Sequence, residues 1–255
     1  MKIASWNINS FKARKPVVMK WLESVQPDLV FCQEIKTTGE HGPEDDLEAL
    51  GYVAEIRGNG GYAGVATLIK KGIEFMRVEN DLFQDEEQAR YIEIIIGGTH
   101  YINIYAPNGN PVTEPKYQYK LNWYSKLEAY LNSLLKAKTP FIIGGDFNII
   151  PEDKDCYDPA AWSGDALFTP EVRDIYRRLS NSGLVEAFRV FDTRADQYTF
   201  WDYQAGSWPR GKGIRIDHFF LSPKMADRLD KCWIDAEPRG WEKPSDHTPI
   251  LVEVV

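Results

Sequence analysis

Short runs of branched and aromatic residues recur from one end of the chain to the other, and several alternate apolar with polar positions. Ile3–Trp6, Leu29–Cys32, Gly64–Ile69, Tyr91–Ile96, Tyr101–Tyr105, Phe141–Ile143, Arg215–Leu221 and Ile250–Val255 read as strands. A helical period lies between some of them. Val17, Val18, Trp21, Leu22 and Val25 predict a helix over 16–25, with Pro16 in its first turn. Leu121, Tyr124, Leu127, Leu131 and Leu134 predict a longer one over 116–136, ending in lysines that suit a helix C-terminus. Thr169-Pro170-Glu171 opens a third, with Val172, Ile175, Tyr176 and Leu179 as its buried stripe. No internal repeat, low-complexity tract or Ser/Gly linker interrupts this pattern. We expect one α/β layered domain over residues 1–255. Its long irregular stretches fall near 35–46, 107–115, 150–168 and 203–213, and loops of that length are often functional.

Composition narrows the class. With 255 residues, 43% hydrophobic and 13% aromatic, the chain has the apolar content to fold and is not a disordered segment. Cys32, Cys156 and Cys232 are odd in number and lack metal-ligand spacing, so a disulfide framework or zinc finger is not expected. Lys plus Arg total 30 against 38 Asp plus Glu, a formal charge of −8. Such a balance argues against wrapping nucleic acid through basicity, yet clustered carboxylates can hold a metal that meets a phosphate. Met1–Lys15 has no apolar core of signal-peptide length, and nothing approaches the roughly 20 apolar residues of a membrane span. The expectation is a cytoplasmic, monomeric protein with no membrane association.

The polar residues that follow the apolar runs carry the chemistry. Phe141-Ile142-Ile143-Gly144-Gly145-Asp146-Phe147-Asn148 reads as a buried strand, a glycine turn, then a carboxylate and an amide at i, i+2. In extended chain that spacing puts Asp146 and Asn148 on one face, where they could activate a water and hold a phosphate oxygen. Asn7 and Asn9 leave the first strand with the same spacing. Gln33-Glu34 follows the second apolar run, and Glu34 could ligate a hard cation or cap a turn. Asp217 lies in Arg215-Ile216-Asp217-His218. Pro244-Ser245-Asp246-His247-Thr248-Pro249 is held by a proline at each end, so Asp246 could serve a metal and His247 a phosphate. Each group by itself could equally be a polar strand edge or a hydrogen-bonded turn. His41, His100 and His218 lack any such context and read as structural or solvated. There is no GxSxG, CxxC, GxxxxGK[ST] or GxGxxG, so hydrolase-elbow, redox, ATPase and dinucleotide readings lack their motifs. Metal-assisted hydrolysis of a phosphodiester, with no nucleotide cofactor, remains.

Taken in order, these motifs resemble the exonuclease/endonuclease/phosphatase superfamily, and within it the bacterial exonuclease III branch of abasic-site endonucleases. The matching blocks span nearly the whole chain: Ile3–Asn9, Phe31–Glu34, Gly61–Ala66, Asn103–Gly109, Gly145–Asn148, Tyr198–Tyr203, Arg215–His218 and Ser245–Pro249. The resemblance implies a four-layer α/β sandwich, two central sheets flanked by helices. It implies Mg²⁺ or Mn²⁺ around Glu34, with Asn7, Asp146, Asn148 and Asp246 as further metal contacts. Asp146 would activate the attacking water, Asn148 would contact the scissile phosphate, and His247, oriented by Asp217, would contact a phosphate oxygen. Tyr105 would stand beside the leaving group. Asn9, Arg90 and Arg215 would meet substrate, with Phe200, Trp201 and Ile214 lining a pocket for a base-less sugar. Double-stranded DNA with abasic sites or 3′ ends is the implied partner. The chain departs from the family in having Ile214 where Trp is frequent and Ala63 where Asn or Ser is common. A basic rim of Lys12, Arg14, Lys15, Arg90, Arg210, Lys212 and Arg215 is expected on the acidic body. Two other functions compete. One is a phosphatase or phosphodiesterase of the same superfamily acting on lipid or small phosphorylated substrates, and the other a non-catalytic DNA-binding scaffold.

Overall fold

The computed structural model describes residues 1–37, 44–58, 63–79 and 88–255. Their strands form two six-stranded mixed sheets. The first has the order β11 (Leu229–Ile234), β12 (Ile250–Val254), β1 (Lys2–Asn7), β2 (Leu29–Gln33), β4 (Val65–Lys70), β3 (Tyr52–Arg57). The second runs β5 (Met76–Arg77), β6 (Tyr91–Ile96), β7 (Thr99–Tyr105), β8 (Phe141–Asp146), β10 (Asp217–Leu221), β9 (Val185–Glu186). Each sheet has one parallel pair at its centre, β1–β2 and β7–β8, with antiparallel neighbours outside.

Alternation along each strand explains the layering, because successive side chains leave opposite faces of a sheet. Ile3, Leu29, Phe31 and Val65 of one sheet meet Ile92, Ile94, Tyr101, Ile142, Phe219 and Leu221 of the other in the central layer. The intervening Ala4, Trp6, Val30 and Cys32 face outward onto Val17, Val18, Trp21 and Leu22 of helix α1 (Phe11–Val25). On the far side Ile102, Ile104, Phe141, Ile143 and Phe220 pack under Trp123, Tyr124, Leu127 and Leu131 of α3 (Pro115–Lys136) and Val172 and Ile175 of α4 (Pro170–Asn181). Helix, sheet, sheet and helix make the four layers the sequence leads one to expect. Shorter helices are α2 (Glu44–Ala49), α5 (Ala187–Phe191) and α6 (Pro223–Ala226). No helix among the described residues is long and apolar enough to cross a membrane.

Three local expectations change. Helix α1 begins at Phe11, five residues before Pro16, with Ser10 accepting a cap bond from the Ala13 N–H; Pro16 therefore sits inside the helix, in its second turn. Asp217 opens β10, and Arg215-Ile216 precede it. Gly144 and Gly145 are strand residues and do not turn the chain. Gly144 makes room for the Phe219 ring, which would lie 2.2 Å from any Cβ there. At Gly145 a Cβ would fall 1.9 Å from the Ile104 carbonyl oxygen of the paired strand. Gly145→Ala is thus expected to destabilise by about 3 kcal/mol, the upper end for overpacking, because a backbone atom cannot swing aside. Urea unfolding would measure it, and a loss below about 1 kcal/mol would mean that the strands separate freely.

Candidate active site

Parallel pairs send their C-terminal ends to the same side, and antiparallel partners bring their starts there. Asn7, Glu34, Tyr105, Asp146, Asp217 and the 245–249 loop therefore gather at one edge of the sandwich. Beneath them the central layer turns polar. Gln33 Nε2 donates to Asn103 Oδ1 at 2.8 Å and to Ser5 Oγ at 3.2 Å, and Asn103 Nδ2 donates to the Ala66 carbonyl at 2.9 Å, tying one sheet to the other.

The i, i+2 pairs are held by turns and not by extended chain. At the end of β1 the Asn9 N–H donates to Asn7 Oδ1 (3.1 Å), and at the end of β8 the Asn148 N–H donates to Asp146 Oδ1 (2.9 Å). Asn9, Glu34 and Asn148 all adopt left-handed backbone, with φ of 45°, 51° and 50°. Asn tolerates that region better than other side chains, whereas for Glu34 it is strained. Strain at a strand end that the surroundings enforce is what delivers three polar groups to one point.

Asn7 Nδ2 donates both to Glu34 Oε1 (2.9 Å) and to Asp146 Oδ2 (3.0 Å). The Tyr105 hydroxyl donates to Glu34 Oε1 at 2.9 Å, and the Lys36 ammonium lies 3.1 Å from Glu34 Oε2. Lys36 also donates to Asn9 Oδ1 (2.6 Å), and Asn9 Nδ2 reaches Asp246 Oδ1 (3.1 Å). Burial would raise the Glu34 carboxyl, but Asn7, Lys36, His247 and Tyr105 together hold it below its usual value. Burial, with Glu34 and Asp146 nearby, pushes the Tyr105 phenol well up, so it stays a neutral donor.

His247 forms the other half of the site. Its Nδ1 meets Asp217 Oδ2 at 2.9 Å and its Nε2 lies 3.9 Å from Asp146 Oδ2. The Thr199 hydroxyl accepts from the Ile216 and Asp217 N–H groups and sets the start of β10. Phe200 stands edge-on to the imidazole with centroids 5.0 Å apart. Burial opposes charge on His247, but Asp217, Asp146 and Asp246 overcome it and raise the imidazole to about 10. Asp146 goes up to about 7, chiefly from burial and with Asp217 adding, against the pull of His247. Between pH 6.5 and 10 the folded protein keeps a proton on His247 that the unfolded chain releases. That stabilisation is complete below about 6.5, the ordinary histidine value, and is lost as pH rises through about 10. His247 is accordingly expected to show imidazolium ring shifts by NMR from about pH 6 to 9. Titration near its ordinary value would refute the assigned ion pair.

Donor chemistry fits a hard divalent cation, because Glu34, Asp146 and Asp246 all offer carboxylate oxygens. The amides stand differently from expectation. Asn7 turns its N–H groups to the carboxylates, while Asn148 Nδ2 donates to the Ala106 carbonyl (2.9 Å) and its Oδ1 accepts from Asn108 (3.2 Å). Ligand atoms of Asp146, Asp217 and His247 also lie within 4.8 Å of one another. His247 Nδ1 is held by Asp217 at 2.9 Å, which aims its Nε2 toward Asp146 at 3.9 Å.

The expected substrate residues are placed unevenly. Asn9 and Phe200 are at the site. Arg90 is buried; it donates to the Tyr105 carbonyl (3.0 Å) and lies 4.5 Å from the Tyr105 ring centroid, so it supports that tyrosine and is no part of a rim. Arg215 is 1% exposed and ion-paired to Asp155 (2.7 Å) and Glu186 (2.9 Å), which removes it from any phosphate. Ile214 is buried and pairs through its backbone with Phe200, and Trp201 packs on Trp208 and over Gly213. Of the remaining cations, Lys15 pairs with Asp46, Arg14 donates to the Tyr203 hydroxyl (2.6 Å), and Lys12, Arg210 and Lys212 reach the surface. His100 pairs with Glu93, and His218 joins the Arg215 network, as structural residues should. His41, and Gly61 and Tyr62 of the Gly61–Ala66 block, lie outside the described residues.

Lys36, Tyr203, Asn108 and Lys120 were not singled out from sequence. Lys36 follows Glu34 by two and could have been found as its counter-charge. Lys120 sits on the buried stripe of α3, four residues before Tyr124, where a charge is out of place. Burial pulls its ammonium down to about 7.

Comparison with known proteins extends over the same residues. The profile described as the endonuclease/exonuclease/phosphatase family matches residues 4–247. Exodeoxyribonuclease III of Haemophilus influenzae is 35% identical over 99% of both chains. Among solved structures, a 3′-5′ exonuclease from Neisseria meningitidis superposes with a TM-score of 0.93 at 32% identity, covering 100% of this chain and 99% of that one. An AP endonuclease from Archaeoglobus fulgidus gives 0.89 at 33% identity, with 100% and 99% covered. With its strand-end carboxylates, its Asp217–His247 pair and a match from residue 4 to residue 247, the chain belongs to the endonuclease/exonuclease/phosphatase family.

Proposed function

We propose that the chain is a DNA-repair phosphodiester hydrolase that incises 5′ to abasic sites and degrades duplex DNA from 3′ ends. The observation that carries this reading is the convergence of Glu34, Asp146, Asn148 and the Asp217–His247 pair at one sheet edge. Full-length similarity to nucleases favours a DNA substrate over lipid or small phosphorylated molecules. The protein would act as a cytoplasmic monomer built from the single domain 1–255, without a nucleotide cofactor.

Glu34, Asp146 and Asp246 would hold Mg²⁺, with Mn²⁺ as substitute, and Asn7 and Asn148 would contribute if their amide oxygens turned inward. The ion, when bound, neutralises charge building on the phosphoryl oxygens. Asp146, as a carboxylate, takes the proton of the attacking water as the P–O3′ bond breaks, and the departing O3′ takes a proton from solvent to leave as the 3′-hydroxyl. Protonated His247 faces a phosphoryl oxygen with Asp217 behind it, and the neutral Asn148 amide can approach where a carboxylate would repel. Tyr105, un-ionised, stands beside the departing oxygen. Phe200, Trp201 and Ile214 would form or back the apolar wall against the sugar, and Asn9 and the exposed lysines and arginines would meet the backbone. Arg90 and Arg215 act from behind that surface.

A duplex carrying one tetrahydrofuran abasic analogue tests this, because the analogue cannot break by β-elimination. A nick on its 5′ side with Mg²⁺, abolished by EDTA, is the expected result. Degradation of a blunt 3′ end beside an intact analogue would restrict the activity to the exonuclease. Cleavage of neither would overturn the nuclease reading.

A further inference from the structure

We propose that Lys120, together with Tyr124, is a positioning residue that aims the Asp146–Asn148 turn from helix α3. Lys120 is 0% exposed, and its ammonium donates to three carbonyls: Asn108 at 3.0 Å, Asn148 at 2.6 Å and Ala166 at 2.9 Å. An ammonium has three donors, so all are used. Those carbonyls frame the site from two connections: Asn108 lies in the one after β7, and Asn148 and Ala166 lie at the two ends of the one between β8 and α4. One helical turn further along the same face, the Tyr124 hydroxyl donates to the carbonyl of Phe147. Two side chains of a rigid helix thus grip consecutive carbonyls of the segment that carries Asn148.

The grip matters because Asn148 is in left-handed backbone, and its own amide is aimed by bonds to Ala106 and from Asn108. Lys120 holds the carbonyl of Asn148 and that of Asn108, so one cation sets both ends of this arrangement. The Phe147 N–H is anchored on the opposite side by the Ile216 carbonyl, next to Asp217. A buried cation is a costly way to fill space that an apolar chain would fill as well. Gly109 leaves room for it: a Cβ there would come within 2.8 Å of Lys120 Cδ.

The kinetic arm of the test rests on the nuclease reading above; the spectroscopic arm does not. Lys120→Met is expected to lower kcat on the tetrahydrofuran duplex about 30-fold with KM within about twofold, since a small misalignment of reacting groups is enough for such a loss. Tyr124→Phe, which removes only a hydroxyl, is expected to lower it about fivefold and keeps the assay decisive if the methionine variant does not fold. Leu127→Ala, buried on the same helix but below the site, should destabilise the protein and leave kcat within about twofold. With asparagine isotopically labelled, the Asn148 side-chain amide signals, assigned by their loss in Asn148→Asp, should move in Lys120→Met and Tyr124→Phe and not in Leu127→Ala. Unmoved signals would overturn the proposal whether or not the wild type cleaves DNA. So would equal kcat losses in all three variants, since a general stability effect would then explain them.

Discussion

Asp146→Asn is expected to lower turnover on duplex DNA by about 10³-fold, the middle of the range for removing a general base, while leaving DNA affinity equal or tighter. The wild-type carboxylate accepts from the Asn148 N–H at one oxygen and from Asn7 at the other, with the His247 ring 3.9 Å away. An amide can keep the first bond. At the second oxygen it must present N–H groups to Asn7 and to an imidazolium, or turn and lose Asn148. Neither orientation can take a proton from water. Affinity should not fall, because the change removes a negative charge from a site that must receive a phosphate. Single-turnover cleavage and fluorescence anisotropy separate the two effects. Retention of more than a tenth of the turnover would show that another group accepts the proton, and a matching loss of affinity would show that Asp146 holds substrate.

The largest effect on stability is expected at Arg215. Its guanidinium joins Asp155 of one loop to Glu186 at the end of β9, and Arg189 adds a second cation to Asp155. Arg215→Met leaves Asp155 with Arg189 and strips Glu186 of its guanidinium partner, and stranding a buried charge costs about 3–5 kcal/mol. For a chain of this size each kcal/mol lowers Tm by roughly 2–4 °C, so a fall of about 10 °C is expected. By contrast, breaking the exposed Lys71–Glu48 pair should shift Tm hardly at all. Burial raises the Asp155 and Glu186 carboxyls, but Arg215 with its neighbours pulls both below their usual values. Their stabilisation is therefore present above about pH 4 and lost as pH falls through the lower folded values, and the methionine variant should lose that acid sensitivity. Calorimetry across pH 3 to 7 would show it. An unchanged Tm would mean that the network stabilises nothing. Because Asp217 follows Arg215 by two, some loss of activity should accompany the fall in Tm.

Much of the site was legible as strand punctuation. Glu34, Asp146, Asn148 and His247 each follow or precede an apolar run, and a polar residue at a strand end is where chemistry is placed on a rigid frame. A layered α/β domain was legible for the same reason, since alternation in the central strands separates two faces, whereas the four-layer sandwich was implied by the resemblance of the motif blocks. Edge strands β3 and β11 escaped because they are half-exposed, and their patterns carry little contrast. Gly144 and Gly145 read as a turn, because nothing local reveals that Phe219 and the Ile104 carbonyl occupy the space a Cβ would need.

The cations show most sharply what a sequence leaves open. Arg90 and Arg215 look like surface charges suited to a phosphate, yet both lie inside. One props Tyr105 and the other neutralises two buried acids. Lys120 is out of place on the buried stripe of its helix, but nothing local shows that it grips three carbonyls around the site. Hydrophobic period and strand-end residue types are local properties, so the sequence by itself determined the layered α/β class and the groups available for chemistry, and its motif blocks carried the resemblance to the family. Which charges reach the surface depends on partners 60 residues away, as between Arg215 and Asp155, and only the tertiary structure decided that.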